Sequence, residues 1–353
     1  MSVRGRYWQA RFARWGRPAH PHPQPGYSLL LPVPGDLPVF LELALAVCRL
    51  QDPTHRVETL VIPDRSTAAV RRVVADARRD WPDPLRLLPL PAAERLVLPR
   101  LGDPGRNHGA QLVTGVRAAQ ADRIVLHDAD LFLRDPRVHA DEFELAEKED
   151  VDVLGISPAW DDWYAERGRR LAATWELCGR VAWFRDFPPH RHFGHDAVVD
   201  GERHTFDTTF WPQLHTGPGR IDVGVGLAER TVHFNYTIST YRLFQRAARS
   251  REPFRDKAFR ILLIRLFVEL FGRVEHPYGL PTLEQLGDGL HRGGQHLRVL
   301  YSRQDGETYR RVREGLGAVV EGPWSSPERA ARCRELLAAF DEHFKDFFVV
   351  DLS

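Results

Sequence analysis

The sequence lacks several features that mark particular classes of protein. Its three cysteines, Cys48, Cys178 and Cys333, lie far apart in 353 residues. They form neither a CxxC pair nor the even set of a disulfide framework, so we expect the protein to be located in the reducing cytoplasm. Long apolar runs are also missing. The most apolar stretch, residues 259–271, contains three charged residues and is shorter than the ~20 apolar residues that cross a bilayer.

An excess of charge of one sign is missing as well. Lys+Arg is 49 and Asp+Glu is 48, so 49 − 48 leaves a net charge of +1. This balance argues against a general nucleic-acid binder, which must neutralise phosphates. The hydrophobic share of 43% excludes a wholly disordered chain. Lysine is scarce, since 49 − 3 leaves 46 arginines. We attribute this bias mainly to genome composition, and the alternative is bidentate binding of anions by many arginines.

Composition divides the chain into three predicted regions. Residues 1–26 are basic, aromatic and rich in proline, and they lack the apolar core of a signal peptide, so we expect a tail or linker. Residues 27–250 alternate apolar strands with helices. Residues 251–353 favour helices, at 253–271 and at roughly 281–292, 305–315 and 326–345. The first of these is expected in core or dimer packing, with attachment to a membrane surface as the alternative.

The central region has the pattern of an α/β domain. Apolar strands at 27–33 and 57–62 are each followed by a helical pattern, at 39–50 and up to residue 79. This alternation predicts a parallel sheet. A further helix at 109–120 leads to a strand at 124–126, and another strand is expected at 151–157. Residues 158–205 are expected to be rich in loops, and residues 205–214 to start a helix.

The strongest chemical signal is His127-Asp128-Ala129-Asp130. Two acids spaced i, i+2 follow an apolar strand, and ligands of parallel sheets bind beyond the carboxyl ends of strands. Carboxylates suit hard cations such as Mn²⁺ or Mg²⁺, and such an ion neutralises a diphosphate leaving group. The alternative is a polar strand end or a helix cap. We therefore predict a metal site at Asp128 and Asp130.

Four segments, in this order, resemble the GT-A glycosyltransferases of the large family-2 type, and also enzymes of the mannosylglycerate synthase type. The resemblance covers roughly residues 27–240. It rests on the strand with Pro32 and the following Gln51-Asp52-Pro53, on Ile62-Pro63-Asp64-Arg65-Ser66-Thr67, on Arg106-Asn107-His108-Gly109-Ala110 before the acidic pair, and on Thr205-Phe206-Asp207-Thr208 with Thr231-Val232-His233-Phe234-Asn235. One acid of the family's second segment is replaced by Pro63.

The resemblance implies a Rossmann-like, mostly parallel sheet with a helical C-terminal extension. It also implies a metal-dependent transfer of sugar from a nucleotide-diphosphate donor to a hydroxyl acceptor, which is a small molecule, a glycan or a lipid-linked group. His233 would complete the Mn²⁺ or Mg²⁺ site, with His215 as its alternative. The expected donor contacts are Pro32, Asp64, Arg106, Asn107, His127, Asp128 and Arg242.

The acceptor side is less sharply defined by the sequence. Asp207 is the expected base or acceptor-positioning acid, with Asp196 and Asp200 as alternatives and a helix cap as its structural role. Residues 190–196 contain three histidines without a zinc spacing, so we expect an acceptor-side or lid loop there. The aromatic residues Trp160 and Trp163 are candidates for stacking on a sugar ring, with core packing as the alternative.

Two other functions remain open at this point. A sugar-phosphate nucleotidyltransferase would use a similar sheet and metal, but the first strand is followed by Pro34-Gly35-Asp36 without its glycine-rich loop. A non-catalytic protein that binds nucleotide-sugars would keep the fold without the acidic pair. No nucleic-acid partner is expected. A homodimer and peripheral contact with a membrane are both compatible with the pattern.

Overall fold

The computed structural model describes residues 10–13, 15, 22–101, 104–250, 252–255, 257–274, 278–280, 299 and 301–348. The chain divides into two compact units. The first contains residues 1–37 and 48–231, and the second contains residues 38–47 and 232–353. The division of the sequence at residues 26 and 250 stays a prediction.

Seven strands of the first unit form one mixed sheet. The described strands, in chain order, are β1 (Gln24–Val33), β2 (Arg56–Pro63), β3 (Leu85–Leu87), β4 (Ala121–His127), β5 (Leu131–Leu133), β6 (Val153–Gly155), β7 (Glu176–Arg180), β8 (His195–Val199), β9 (Glu202–Phe206), β10 (Ile221–Val223) and β11 (Thr231–His233). Of these eleven, β5, β8, β9 and β11 lie outside the seven-stranded sheet. The sheet has the order β10-β6-β7-β4-β1-β2-β3. All its neighbours are parallel except β7, which is antiparallel to β4 and β6. The predicted α/β class with a mostly parallel sheet is confirmed.

The central strands are apolar because both faces of the sheet are covered. Leu30 of β1 pairs with Leu60 of β2 on one side and Leu126 of β4 on the other, and all three are fully buried. Strands buried on both faces are continuous apolar runs rather than alternating ones. This is why the sequence predicted β1, β2 and β4 correctly.

Among the described residues, eight α-helices begin between residues 38 and 210. They are α1 (Pro38–Arg49), α2 (Ala68–Ala77), α3 (Ala92–Leu101), α4 (Pro104–Ala118), α5 (Val138–Lys148), α6 (Asp162–Glu166), α7 (Val181–Asp186) and α8 (Phe210–Leu214). Thr67 caps α2, since its hydroxyl accepts a hydrogen bond from the backbone N–H of Val70. Gly115 lets α4 approach the sheet closely, because a Cβ there would lie 2.5 Å from the Leu30 side chain. Residues 38–47 of α1 belong to the second unit.

The region between residues 158 and 214 differs from the prediction. The expected loops contain β7 and the antiparallel hairpin of β8 and β9. The helix start expected within residues 205–214 is found at Phe210, where α8 begins, whereas Thr205 and Phe206 end β9. Residues 202–206 are a strand because their backbone groups pair with residues 195–199.

The second unit continues with α9 (Thr237–Ser250), α10 (Arg260–Phe271), α11 (Arg303–Val320) and α12 (Pro327–Phe348). The last two confirm the predicted C-terminal helices, whereas the helix expected at 281–292 lies outside the described residues. The long helix expected from residue 253 starts only at Arg260. No helix among the described residues has the length and apolar character needed to span a membrane.

Core packing accounts for the apolar character of α10. Its buried side chains point in several directions around the helix, and they are Ile261, Leu262, Leu263, Ile264, Leu266, Phe267, Leu270 and Phe271. An interfacial helix would instead leave one apolar face free. This helix therefore fits the expected packing in a core and not attachment to a membrane surface.

Candidate active site

The two acids of the predicted metal site lie in a turn directly after β4. The backbone N–H of Asp128 donates to the carbonyl of Trp175 at 2.8 Å, and the N–H of Leu131 donates to the Asp128 carbonyl at 3.2 Å. These bonds fix the turn. Carboxylate oxygens of Asp128 and Asp130 lie within 4.8 Å of one another, and Asp130 is 5% exposed. Two oxygen donors at this distance fit a hard divalent cation.

His108 of α4 connects Asp128 to the turn that carries Asp207. Its Nε2 lies 3.2 Å from Asp128 Oδ1 and its Nδ1 lies 3.2 Å from Thr208 Oγ1. The Thr208 hydroxyl donates towards the carbonyl of Gly105 at 3.4 Å, so it accepts from the imidazole. Burial lowers the pKa of His108, but the carboxylates of Asp128, Asp207 and Asp130 together outweigh this, and the pKa is raised.

His108 lies in one of the segments that carry the sequence resemblance, but the sequence predicts no role for it. Its partners Asp128 and Thr208 are 20 and 100 residues away in the chain. A local pattern does not show such contacts. The available signal was a histidine near the start of the helix that precedes the acidic pair.

Asp207 lies near this histidine at the end of β9. Burial raises the pKa of its carboxyl group, and the Asp128 carboxylate raises it further, although the hydrogen bond from the Thr208 N–H opposes both. The N-cap of α8 is Thr209, so Asp207 does not have the helix-capping role that was its structural alternative. A partly buried carboxylate with a raised pKa is suited to accept a proton from a hydroxyl group.

The turn after Asp207 is strained. Thr209 has φ 65°, in the left-handed region that a β-branched residue rarely adopts. Gln213 holds it there, since its Nε2 donates to Thr209 Oγ1 at 3.0 Å and to the Ala172 carbonyl at 3.0 Å. Strain of this kind persists only where the surroundings fix it, and it is common at functional turns.

Asp196, the alternative to Asp207, is differently placed. It lies on β8, where it accepts hydrogen bonds from Arg203 at 2.5 Å and from the Thr205 hydroxyl at 2.8 Å. These two bonds lower its pKa. An exposed carboxylate held ionised within a hairpin is a weaker proton acceptor than Asp207.

The loops after β1 and β2 are joined by hydrogen bonds. Asp64 Oδ1 accepts from the backbone N–H of Gly35 at 2.7 Å, and the Thr67 hydroxyl donates to the Gly35 carbonyl at 2.9 Å. Pro32 lies within β1 and pairs with Ile62. Contacts of Pro32 and Asp64 with a nucleoside stay predictions, at the ends of the strands where such contacts are expected.

Two predicted donor contacts lie in the first turn of α4. Arg106 is partly exposed, and Asn107 is 5% exposed. The Asn107 side-chain oxygen is buried without a hydrogen-bond partner among the described residues. The N-terminus of a helix favours anions, and an arginine there strengthens this preference. The first turn of α4 can therefore receive a phosphate group.

His127 was expected to contact the nucleotide, but its side chain is fully buried. Its Nδ1 lies 2.7 Å from Oε2 of Glu176, which is also fully buried. The imidazole thus faces the interior of the first unit. Only the backbone of His127 remains for the predicted contact.

Two stacked tryptophans are connected to the turn that carries Asp128 and Asp130. Trp160 is 47% exposed and stacks on Trp175 with ring centroids 5.2 Å apart. Phe210 packs against Trp160 at the same centroid distance. Trp160 is thus connected to the acidic turn through Trp175, whose carbonyl accepts from the Asp128 N–H; stacking of Trp160 on a sugar stays a prediction.

The histidines of residues 190–195 have separate contacts. His192 is buried and its Nε2 lies 2.7 Å from the Phe184 carbonyl, and burial lowers its pKa to about 4. His195 Nδ1 lies 2.7 Å from the Phe193 carbonyl. Among the described residues, none of these histidines belongs to a group of side chains close enough together to bind a metal ion. Their role as an acceptor-side or lid loop stays a prediction.

His233 and Arg242 belong to the second unit. His233 ends β11 and Arg242 lies on α9, and both side chains are partly buried. His215, the alternative metal ligand, is in the first unit, where its Nδ1 lies 2.8 Å from the Trp211 carbonyl. The roles of His233 and Arg242 toward metal and diphosphate stay predictions.

Comparison with known proteins gives weak similarities only. No family model matches the chain, and no curated protein matches it. S. aureus TarS 1-349 is 16% identical, with 91% of this chain and 89% of that chain covered and a TM-score of 0.39. The mannosyltransferase PcManGT from Pyrobaculum calidifontis, in complex with GDP-Man and Mn²⁺, is 17% identical, with 96% and 94% covered and a TM-score of 0.37.

A third similar structure is glucosyl-3-phosphoglycerate synthase from Mycobacterium tuberculosis, in complex with Mn²⁺, UDP and glucosyl-3-phosphoglycerate. It is 14% identical, with 70% of this chain and 84% of that chain covered and a TM-score of 0.39. These neighbours are GT-A fold glycosyltransferases, the group that the sequence resembles. At these identities and TM-scores, no activity of this chain follows from the similarity.

Proposed function

We propose that this protein is a glycosyltransferase that moves a sugar from a nucleotide-diphosphate donor to a hydroxyl acceptor. One observation carries the proposal: Asp128, Asp130, His108 and Asp207 are grouped beyond the carboxyl end of β4. In the strand order, β2 and β4 lie on opposite sides of β1. This reversal between β1 and β4 is the switch point at which open α/β sheets bind ligands.

The donor would occupy this switch point. Asp128 and Asp130 offer carboxylate oxygens to Mn²⁺ or Mg²⁺, and the ion would neutralise charge on the diphosphate leaving group. Arg106 and the first turn of α4 offer further positive potential to a phosphate. Asp64 is proposed to face the nucleoside. His233 as a third metal ligand and Arg242 as a diphosphate contact are proposed from the sequence resemblance alone.

The acceptor would approach from the side of Asp207. Its carboxylate is proposed to accept the hydrogen of the attacking hydroxyl group, either as base or as a positioning group. The exposed face of Trp160 would stack on a sugar ring. The three cysteines are buried free thiols, which accords with the proposed cytoplasmic location.

A ligand screen tests the donor site. The melting temperature is measured with UDP-, GDP- and dTDP-sugars, each with and without Mn²⁺. We expect one nucleotide class to raise it in a Mn²⁺-dependent manner, and release of the nucleoside diphosphate when an acceptor is added. Release of pyrophosphate from a sugar phosphate and a nucleoside triphosphate would instead identify a nucleotidyltransferase. No stabilisation by any sugar nucleotide would contradict the proposal.

Asp130→Asn tests the proposed metal site at Asp128 and Asp130. It should lower Mn²⁺-dependent activity by more than the about 10–100-fold that loss of a metal ligand's supporting partner costs. Asp76→Asn removes an exposed carboxylate of α2, paired with Arg79, and should leave activity unchanged. Equal activity of the two variants would overturn the assignment of Asp130.

A further inference from the structure

A second group of metal-ligating side chains is buried in the first unit. Cys48 at the end of α1, His127 at the end of β4 and His139 on α5 are each 0% exposed. Each offers one ligand atom, and these atoms lie within 4.8 Å of one another. The three residues come from separate elements, so the fold rather than a local motif brings them together.

Glu176 of β7 contacts both imidazoles of this group. Its Oε2 lies 2.7 Å from His127 Nδ1, and its Oε1 lies 3.0 Å from His139 Nε2. A metal-bound histidine typically donates its other ring N–H to a carboxylate, which fixes the tautomer and the ring orientation. Glu176 has this relation to His127, whereas its contact with His139 is close but lacks hydrogen-bond geometry.

The opposite nitrogens of the two rings remain available. His127 Nε2 and His139 Nδ1 are buried, and neither has a hydrogen-bond partner among the residues that the structure describes. Buried polar atoms are normally satisfied, so two unsatisfied ring nitrogens in one cluster require an explanation. When His127 donates its Nδ1–H to Glu176, its Nε2 carries the lone pair that a metal ion binds, and His139 Nδ1 carries one when the ring proton is on Nε2.

The charges of the cluster also favour a divalent cation. With Cys48 bound as a thiolate and Glu176 as a carboxylate, the two charges would sum to −2, which a divalent ion would neutralise. Buried charges are costly unless they are paired or coordinate a metal. Glu142 is a further fully buried acid of α5, and burial raises its pKa well above the ordinary value.

We propose that Cys48, His127 and His139 bind a structural transition-metal ion, with Glu176 orienting His127. Thiolate and imidazole ligands select Zn²⁺ rather than the hard ions that suit Asp128 and Asp130. The site is therefore chemically distinct from the acidic pair. Because His127 immediately precedes Asp128, a bound ion would hold the end of β4 in place beneath the acids.

Metal analysis of the full-length protein tests this site. Protein produced in zinc-supplemented medium and dialysed against a mild chelator should retain about one zinc ion per chain. Cys48→Ser and His139→Asn should lose the ion. Cys178→Ala is the matched control, since Cys178 is a fully buried thiol of the same unit that lies outside the cluster. It should keep the ion, as should Asp130→Asn.

Cobalt substitution keeps the test decisive if the variants fail to fold. Wild-type protein refolded with Co²⁺ should show a thiolate-to-cobalt charge-transfer band and the visible absorption of a low-coordinate site. The band should persist when Mn²⁺ is added in excess, because the oxygen site takes the harder ion. Wild-type protein that holds no zinc and shows no thiolate–cobalt band would overturn the proposal, as would full zinc retention by both Cys48→Ser and His139→Asn.

Discussion

His108 provides two separable contacts. Its Nε2 faces Asp128 and its Nδ1 faces Thr208. Glutamine places a side-chain amide near the position of Nε2, and asparagine places one near the position of Nδ1. The two substitutions therefore test separately the contact with Asp128, a proposed metal ligand, and the contact with Thr208 in the turn that carries Asp207.

We expect His108→Ala to raise the Mn²⁺ concentration for half-maximal activity by about 10–100-fold, since it removes the partner of a proposed metal ligand. His108→Gln should restore much of the Mn²⁺ affinity, whereas His108→Asn should not. Activity titrations with Mn²⁺ at saturating donor measure this difference. Identical Mn²⁺ dependence of the alanine and glutamine variants would show that the contact with Asp128 does not matter.

At the scale of elements, the loop after β1 depends on a glycine. A Cβ at Gly35 would lie 1.6 Å from the Arg65 carbonyl oxygen, and the Gly35 N–H donates to Asp64. Gly35→Ala must push this loop away from the loop after β2. We expect a loss of about 1–3 kcal/mol or more in the free energy of unfolding, together with weaker binding of the sugar nucleotide.

Gly217→Ala is the control for this substitution. A Cβ at Gly217 meets nothing within 4 Å, so its effect should stay within about 0.5 kcal/mol. Urea unfolding of both variants gives the two values. A stable Gly35→Ala variant with normal binding would mean that the loops do not need their close contact.

Elements buried on both faces were predictable from the sequence, and those defined by pairing were not. The apolar runs of β1, β2 and β4 identify them locally. β7 contains Glu176, Gly179 and Arg180, which give no strand signal. Its Glu176 is buried because imidazoles from β4 and α5 meet it.

The candidate site divides in the same way. Asp128 and Asp130 follow a recognisable strand, so their motif located the acidic turn. His108 and the cluster around Cys48 depend on contacts between distant parts of the chain, and only the structure shows these.

At the scale of the whole molecule, many arginines of this lysine-poor chain pair with acids. Arg220 donates from two nitrogens to Asp152, and Arg313 does the same to Asp341. The guanidinium group matches a carboxylate in this bidentate way, whereas a lysine provides a single point charge. These arginines pair with acids of the protein itself, so the arginine bias gives no independent support to the proposed activity.

Glu42 of the second unit should make stability depend on pH in the direction opposite to an ordinary salt-bridged acid. Burial raises its pKa from 4.5 to about 7, although the backbone N–H groups of Arg273 and Val274 donate to its two oxygens. The folded state therefore binds a proton more tightly than the unfolded state. This contribution to stability is fully present below the unfolded pKa and is lost as pH rises through about 7.

We expect the wild-type protein to lose about 2 kcal/mol of stability relative to Glu42→Gln between about pH 5 and about pH 8, after allowance for solvent screening. Glutamine does not titrate but lacks one of the two acceptor oxygens, so the variant should be the less stable protein at the acid end. Glu335→Gln removes an exposed acid of the same unit and should follow the wild type at every pH. Urea unfolding across this range measures the differences, and parallel pH profiles for wild type and Glu42→Gln would refute the shifted pKa.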